Sequence, residues 1–110
     1  MDSECDAALR LSVPAARAAV IRELHSKYGM SQIEISRRLG VTQASVSKCI
    51  KGKYSRNIAL VCSMIMGKGL ESNAVRAAAK SSVKRANEEI DRIASKSTVL
   101  GYAEKLLAKG

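Results

Sequence analysis

The chain has 110 residues, with 46% hydrophobic and 3% aromatic residues and a formal net charge of +9. This length allows one compact domain, or a small domain with an appended region, and argues against two independent cores. No segment has the ~20 uninterrupted apolar residues of a membrane span, and the acidic N-terminus lacks the positive region of a signal peptide, which predicts a cytoplasmic location.

The positive charge is concentrated in the middle of the chain. Residues 22–56 hold eight basic and two acidic residues, whereas residues 1–21 sum to −1 and residues 57–110 sum to +4. Such a local excess of lysine and arginine is typical of proteins that neutralise phosphate groups. Abundant alanine and a single proline also favour helices over strands. We therefore expect an all-α fold.

The first helix is predicted to begin at Ser12. Pro14 lies two residues later, where a proline is tolerated because the amide groups of a first helical turn are unpaired anyway. Apolar residues then recur at spacings of three and four up to Tyr28, and Gly29 ends the helix. Residues 1–11 are undecided between a loose segment, a strand and a helix.

Residues 31–52 predict two short helices joined by a tight turn. Ser31 and Glu34 form a capping box, in which the serine oxygen accepts the amide proton of Glu34 and the carboxylate reaches back to the serine amide. The first of the two helices then runs to Leu39, and Gly40 supplies the left-handed residue that commonly follows a helix. Local sequence therefore defines both of its ends.

The second short helix is predicted to follow Thr42, its N-cap, and to continue to about Lys51. Its first turn, Thr42–Ser45, consists of small and polar residues that can approach the edges of DNA bases. A structural helical hairpin is the alternative. A bare hairpin, however, would need only the apolar positions and one glycine.

These residues resemble a known family. The spacing of Gln32, Ile35, Leu39, Gly40, Val41, Thr42, Gln43, Val46, Cys49 and Gly52 is similar to the helix-turn-helix of phage-repressor-type transcription regulators. Residues 5–56 more closely resemble a group of small archaeal transcriptional regulators, through Val13-Pro14-Ala15, Tyr28-Gly29, Ser31-Gln32, Arg38–Gln43, Val46-Ser47 and Gly52-Lys53. The resemblance implies a DNA-binding regulator of transcription and covers about half of the chain.

The resemblance also implies which residues contact DNA. Base reading is assigned to Gln43, Ala44 and Lys48. A glutamine can bond to adenine through two hydrogen bonds, and an alanine can contact a thymine methyl group. Phosphate contacts, which position a protein without reading the sequence, are expected from Gln32, Ser45, Ser47, Lys51, Lys53 and Arg56. Arg37 and Arg38 are further candidates for phosphate contacts, with simple solvation as an equal alternative.

The C-terminal half is predicted to be helical as well. Asn57 caps a nearly continuous apolar helix, for which a buried strand is the competing interpretation. Ser72 caps a long helix to about residue 96, and Thr98 starts a last one. Because a helical hairpin over residues 72–110 would be only marginally stable alone, we expect it to pack across a homodimer.

The sequence therefore predicts a helix-turn-helix DNA-binding domain over residues 1–56 and a helical dimerisation region over residues 57–110. Two copies would place their recognition helices in successive major grooves ~34 Å apart on a pseudo-palindromic site, as a repressor does. A non-specific architectural DNA-binding protein and a helical adaptor for protein or RNA are the alternatives. No catalytic constellation or phosphate-binding loop is recognisable in the sequence, so no enzyme is expected.

The three cysteines are Cys5, Cys49 and Cys62, and they lack the CxxC spacing typical of a metal site. Cys49 and Cys62 occupy apolar positions and are expected to be small buried side chains. Cys5 and Cys62 together fall short of the four ligands of a structural zinc site. No metal or cofactor is therefore expected, and a redox or metal sensor would need ligands from a second subunit or His25.

Overall fold

A computed structural model describes residues 4–80 and 82–109, with the side chains of Glu4 and Cys5 outside the described part. The described chain forms seven helices and no strand. They are α1 (Glu4–Ser26), α2 (Gln32–Leu39), α3 (Gln43–Ile50), α4 (Arg56–Gly67), α5 (Ser72–Ala79), α6 (Val83–Ser95) and α7 (Ser97–Lys109). The expected all-α class is confirmed, and the apolar segment after residue 56 is a helix rather than a strand.

The central element is α1, which is longer than the predicted first helix. It begins at Glu4 rather than at Ser12, and Pro14 lies inside it. Pro14 has no amide proton for the carbonyl four residues earlier, a loss that usually bends or ends a helix. Tertiary burial offsets this loss: Leu11 and Ser12 are buried, and the Ser12 hydroxyl donates a hydrogen bond to the carbonyl of Ala94 at 3.0 Å.

One hydrophobic core joins the two predicted parts of the chain. α1 contacts all six other helices, most extensively α4, α6 and α7. The boundary predicted at residue 56 falls at the first residue of α4, whose buried residues belong to this shared core. α6 and α7 thus cover α1 within one chain, and the core residues of these helices, such as Ile90 and Val99, are buried without a second copy.

Several C-terminal boundaries differ from the predicted ones: Ser72 is the first residue of α5 rather than its cap, and α7 begins at Ser97 rather than at Thr98. Ser55, rather than Asn57, caps α4 by accepting the amide proton three residues on, at 3.2 Å. The single long helix expected from Ser72 is two helices, and Ser82 caps the second of them in the same way, at 3.3 Å. The break allows α5 and α6 to pack against each other.

The most apolar helix, α4, is a core element. Its residues Val61, Cys62 and Ile65 are buried, and the helix packs chiefly against α1. Among the described residues, no single helix has the length and apolar composition to cross a bilayer. The pair α4 and α5 meets that criterion only when taken together, across a bend of 87°.

Glu71, just before α5, is a buried carboxylate. Its side chain is 4% exposed, and its Oε1 has no hydrogen-bond partner among the described residues. Burial raises the pKa of Glu71, and the neighbouring Glu23 raises it further, whereas Lys27 lowers it. Because the folded-state pKa lies above the ordinary 4.5, this group favours the folded state at low pH. That contribution is lost as the pH rises through the folded-state pKa.

We expect Glu71→Gln to raise the free energy of unfolding at pH 7 by about 1 kcal/mol, because it removes a buried charge and keeps the shape of the side chain. Urea unfolding at about pH 4 and pH 7 measures the effect. The stabilisation should shrink towards pH 4, where the wild-type carboxyl is protonated. Glu88→Gln, at an exposed position, is the control. A Glu71→Gln variant that is no more stable than the wild type at pH 7 would contradict the expected charge penalty.

Candidate nucleic-acid interface

The start of α2 is defined by Ser31. Its Oγ accepts the amide proton of Glu34 at 3.1 Å, which confirms the serine half of the predicted capping box. The Glu34 carboxylate does not follow the prediction, because it instead pairs with Nε of Arg38 one turn further along α2.

The turn between α2 and α3 is closed by hydrogen bonds on both sides. Gly40 has a φ of +66°, and the amide of Val41 donates to the carbonyl of Ser36 at 3.1 Å. The Ser36 hydroxyl donates in return to the carbonyl of Val41. Thr42 then caps α3, and its Oγ1 accepts the amide proton of Ser45 at 3.1 Å. These bonds hold α3 in a defined orientation relative to α2.

The three residues predicted to read bases lie on the outer side of α3. Gln43, Ala44 and Lys48 are exposed, whereas Val46 is fully buried in the core. At about 100° per residue, these three residues and Lys51 fall within an arc of about 140°. α3 therefore presents one polar face to solvent and holds its opposite face in the core.

The residues predicted to contact phosphates differ in their accessibility. Those on α2 and around the loop after α3 are Gln32, which is half-buried, and the exposed Lys51, Lys53 and Arg56. Ser47 is half-buried, and Ser45 lies about 100° around the helix from Ala44. Its hydroxyl accepts a hydrogen bond from Thr42 at 3.1 Å. The Ser45 side chain thus takes part in the hydrogen bonding that caps the N-terminus of α3.

The two arginines of α2 have different surroundings. Arg37 is exposed to solvent. Arg38 pairs with Glu34, and its Nη1 donates hydrogen bonds to the carbonyl of Ala78, at 3.1 Å, and to that of Ala79. Those carbonyls belong to the last turn of α5, so Arg38 connects α2 to α5 and Arg37 is the arginine exposed for an external contact.

Arg22 of α1 holds the C-terminal end of α3, a contact that no local sequence pattern indicates. Its Nη1 donates to the carbonyl of Cys49 at 3.3 Å and to the hydroxyl of Tyr54 at 3.3 Å. A Cβ on Gly52, which has a φ of +70°, would lie 3.8 Å from the same nitrogen. The end of α3 and the basic loop after it are therefore both anchored on α1.

Two of the three cysteines, Cys49 and Cys62, lie inward of the exposed face of α3 as protonated thiols. Burial raises the pKa of Cys49, which is half-buried, and of Cys62, which is buried. The thiol of Cys62 lies 4.0 Å from the sulfur of Met66. No group of three metal-ligating side chains occurs among the described residues. The side chain of Cys5, named in the sensor hypothesis, lies outside them.

Two lysines of α7 lie beside Arg56, the first residue of α4. Lys105 and Lys109 of α7 line a cavity of about 470 Å³ together with Arg56. Sequence reasoning missed this juxtaposition, because the two segments are distant along the chain and only tertiary packing brings α7 beside α4.

The fold thus brings an exposed helix face next to a loop rich in cations. Gln43, Ala44 and Lys48 lie on the helix, and Lys53 lies in the loop. A helix with side chains is about 10–12 Å across, which matches the ~12 Å width of the major groove of DNA. Comparisons of the chain with protein-family models, with curated proteins and with solved structures found no match.

Proposed function

We propose that the protein is a sequence-specific regulator of transcription that binds double-stranded DNA, with α2 and α3 as its helix-turn-helix. The observation that supports this function best is the exposed polar face of α3, with Gln43, Ala44 and Lys48 on a helix held at both ends. Thr42 caps its N-terminus, and Arg22 binds its C-terminal carbonyl. Such rigidity matters because contacts to bases discriminate only when they are held within about 0.5 Å of their required geometry.

The charge around α3 supports the same function. Lys51, Lys53 and Arg56 are exposed after the helix, and Arg37 is exposed on α2. Cations that surround a base-reading helix neutralise phosphates and fix the register of the protein on the duplex. In this proposal Gln32 adds a phosphate contact at the N-terminus of α2.

The proposed regulator acts as a homodimer on a pseudo-palindromic site and represses by covering a promoter in the cytoplasm. The exposed apolar side of α7 supports pairing between two copies. Leu107 is 40% exposed there, beside a cavity of about 550 Å³ that is lined by Ala7, Gly101 and Ala108 together with the charged Glu104 and Lys105. Apolar surface of this kind is buried when two subunits associate.

Selection from a random pool of duplex DNA tests the proposed function directly. The full chain is incubated with the pool at about 0.15 M salt, the physiological ionic strength, and the retained duplexes are sequenced. An enriched inverted repeat is the expected result, and its half-site spacing reports the dimer geometry. Retention without enrichment would favour an architectural DNA-binding protein. No retention would favour an adaptor for protein or RNA.

We expect Gln43→Ala to relax the sequence preference and to weaken binding to the selected site by about 1–3 kcal/mol, because alanine cannot form the hydrogen bonds to the base.

Lys53→Ala should weaken binding to all duplexes alike and reduce the salt slope by about one. Fluorescence anisotropy over a series of salt concentrations measures both effects. An unchanged preference in Gln43→Ala would contradict its base-reading role, and an altered preference in Lys53→Ala would contradict a phosphate contact.

A further inference from the structure

A second basic surface lies between α5 and α6, apart from the exposed face of α3. A groove of about 530 Å³ is lined there by Arg76 of α5, by Lys80 just after α5, and by Arg85 and Arg92 of α6. One acidic residue, Glu89, lines it as well, with Oε2 3.9 Å from Nη1 of Arg92. The other three cations form no ion pair with the described residues. We call this surface the α5–α6 groove.

Several like charges lie close together in and beside the α5–α6 groove. Arg76 lies in the last turn of α5 and Lys80 is the C-cap residue four positions on, a spacing at which like charges repel, although the C-terminal end of the helix dipole favours cations. Lys84 and Arg85 lie in the first turn of α6, which contains no acidic residue. The N-terminal end of the helix dipole is positive and favours acidic groups at that place. A bound anion would attract these cations and the N-terminus of α6, and so would offset both repulsions.

The α5–α6 groove lies close to the turn that leads into α3. A Cβ on Gly40 would lie 3.2 Å from Cγ1 of Val83, the first residue of α6. Nδ2 of Asn87 donates to the carbonyl of Leu39, the last residue of α2, at 3.0 Å. Ser82 and Arg85, which line the groove, lie one and two residues from Val83, so one end of the groove is at the end of α6 that contacts this turn.

We infer that the α5–α6 groove binds the phosphate backbone of the same duplex that α3 contacts, outside the base pairs that α3 reads. The inference rests on the proposed function. Duplex DNA carries one negative charge per ~1.7 Å of its axis, so a duplex bound at α3 supplies phosphates well beyond the recognition helix. Arg76 and Arg85, one from each wall of the groove, carry this contact.

Two double variants test the inference at equal charge. Arg76→Gln with Arg85→Gln removes two cations from the groove, and Lys68→Gln with Lys96→Gln removes two from exposed positions that do not line it. Each protein is titrated over about 0.1–0.3 M salt with two duplexes. The short duplex holds only the selected site, and the long one adds about ten base pairs, one helical turn, on each side. Circular dichroism checks that both variants stay folded.

The groove variant should lower the salt slope on the long duplex by about 1.8, because each phosphate that is no longer neutralised reduces the slope by about 0.9. Its slope on the short duplex should change less, and its sequence preference should persist. The Lys68 and Lys96 control should keep the wild-type slopes, and Arg76→Lys with Arg85→Lys should retain binding to the long duplex.

Equal slopes for the groove variant and the control would overturn the inference, because total charge rather than the groove would then govern binding. A wild-type chain that selects a site, with a groove variant that behaves like it, would overturn the groove contact and leave the proposed function standing. A wild-type chain that binds no duplex would overturn both.

Discussion

A fragment that ends at residue 56 is expected to be largely unfolded, although it contains all of α1, α2 and α3. In the full chain, α6 and α7 cover α1 around Leu11 and Ser12, and α4 packs along it. Without them the hydroxyl of Ser12 loses the Ala94 carbonyl, and apolar residues of the shared core become exposed to water. Short helices that lose such packing are not stable in water by themselves.

Far-ultraviolet circular dichroism, which reports helicity, and urea titration, which reports cooperative unfolding, test this expectation. The full chain should unfold in one cooperative transition, and the fragment should show low helicity without a transition. The fragment over residues 57–110 is the matched partner, and mixing the two fragments should restore helicity because together they rebuild the core. A fragment 1–56 that unfolds cooperatively by itself would show instead that the N-terminal helices form an independent domain, as the sequence predicts.

Gly40→Ala is expected to lower the free energy of unfolding by about 2–5 kcal/mol. The left-handed backbone at Gly40, with a φ of +66°, costs a residue with a side chain about 1–2 kcal/mol. The new Cβ would also lie 3.2 Å from Cγ1 of Val83, and overpacking of this kind costs about 1–3 kcal/mol. The substitution therefore strains the turn and the contact between this turn and α6 together.

Gly29→Ala is the control for the backbone part of this cost. Gly29 has a φ of +64°, and a Cβ there would meet no atom within 4 Å. Its loss of stability should be about 1–2 kcal/mol. Val83→Ala added to Gly40→Ala should recover the difference in stability between Gly40→Ala and Gly29→Ala. Urea unfolding of the wild type, the two single glycine variants and the double variant measures it. Equal losses in Gly29→Ala and Gly40→Ala would show that the contact with Val83 carries no energy.

The region from Ser31 to Gly52 was the most predictable from sequence. Its helix ends depend on contacts within four or five residues, such as the bond from the amide of Glu34 to Ser31 and the positive φ of Gly40. The Thr42 cap is of the same kind. Such signals lie within a short window of sequence, so the boundaries of α2 and α3 and the outward direction of Gln43 could be predicted.

The same local signals failed where several of them competed. Ser55 and Asn57 are both good N-caps, and the structure uses Ser55. Ser82 divides the long helix expected after Ser72. Serine occurs in helix interiors as well as at caps, so its local signal alone could not place this break.

Amino-acid sequence alone was sufficient for the all-α class and for the α2–α3 unit, because helical periodicity and capping act over a few residues. Tertiary packing decided the length of α1, which continues through Pro14 because its N-terminal part is buried under α6 and α7. It also decided the partners of Arg22 and Arg38 and the position of the α5–α6 groove. The contacts of Arg22 with Cys49, of Arg38 with Ala78 and of Ser12 with Ala94 join residues 27 to 82 positions apart, and no local pattern specifies which distant residue will complete them.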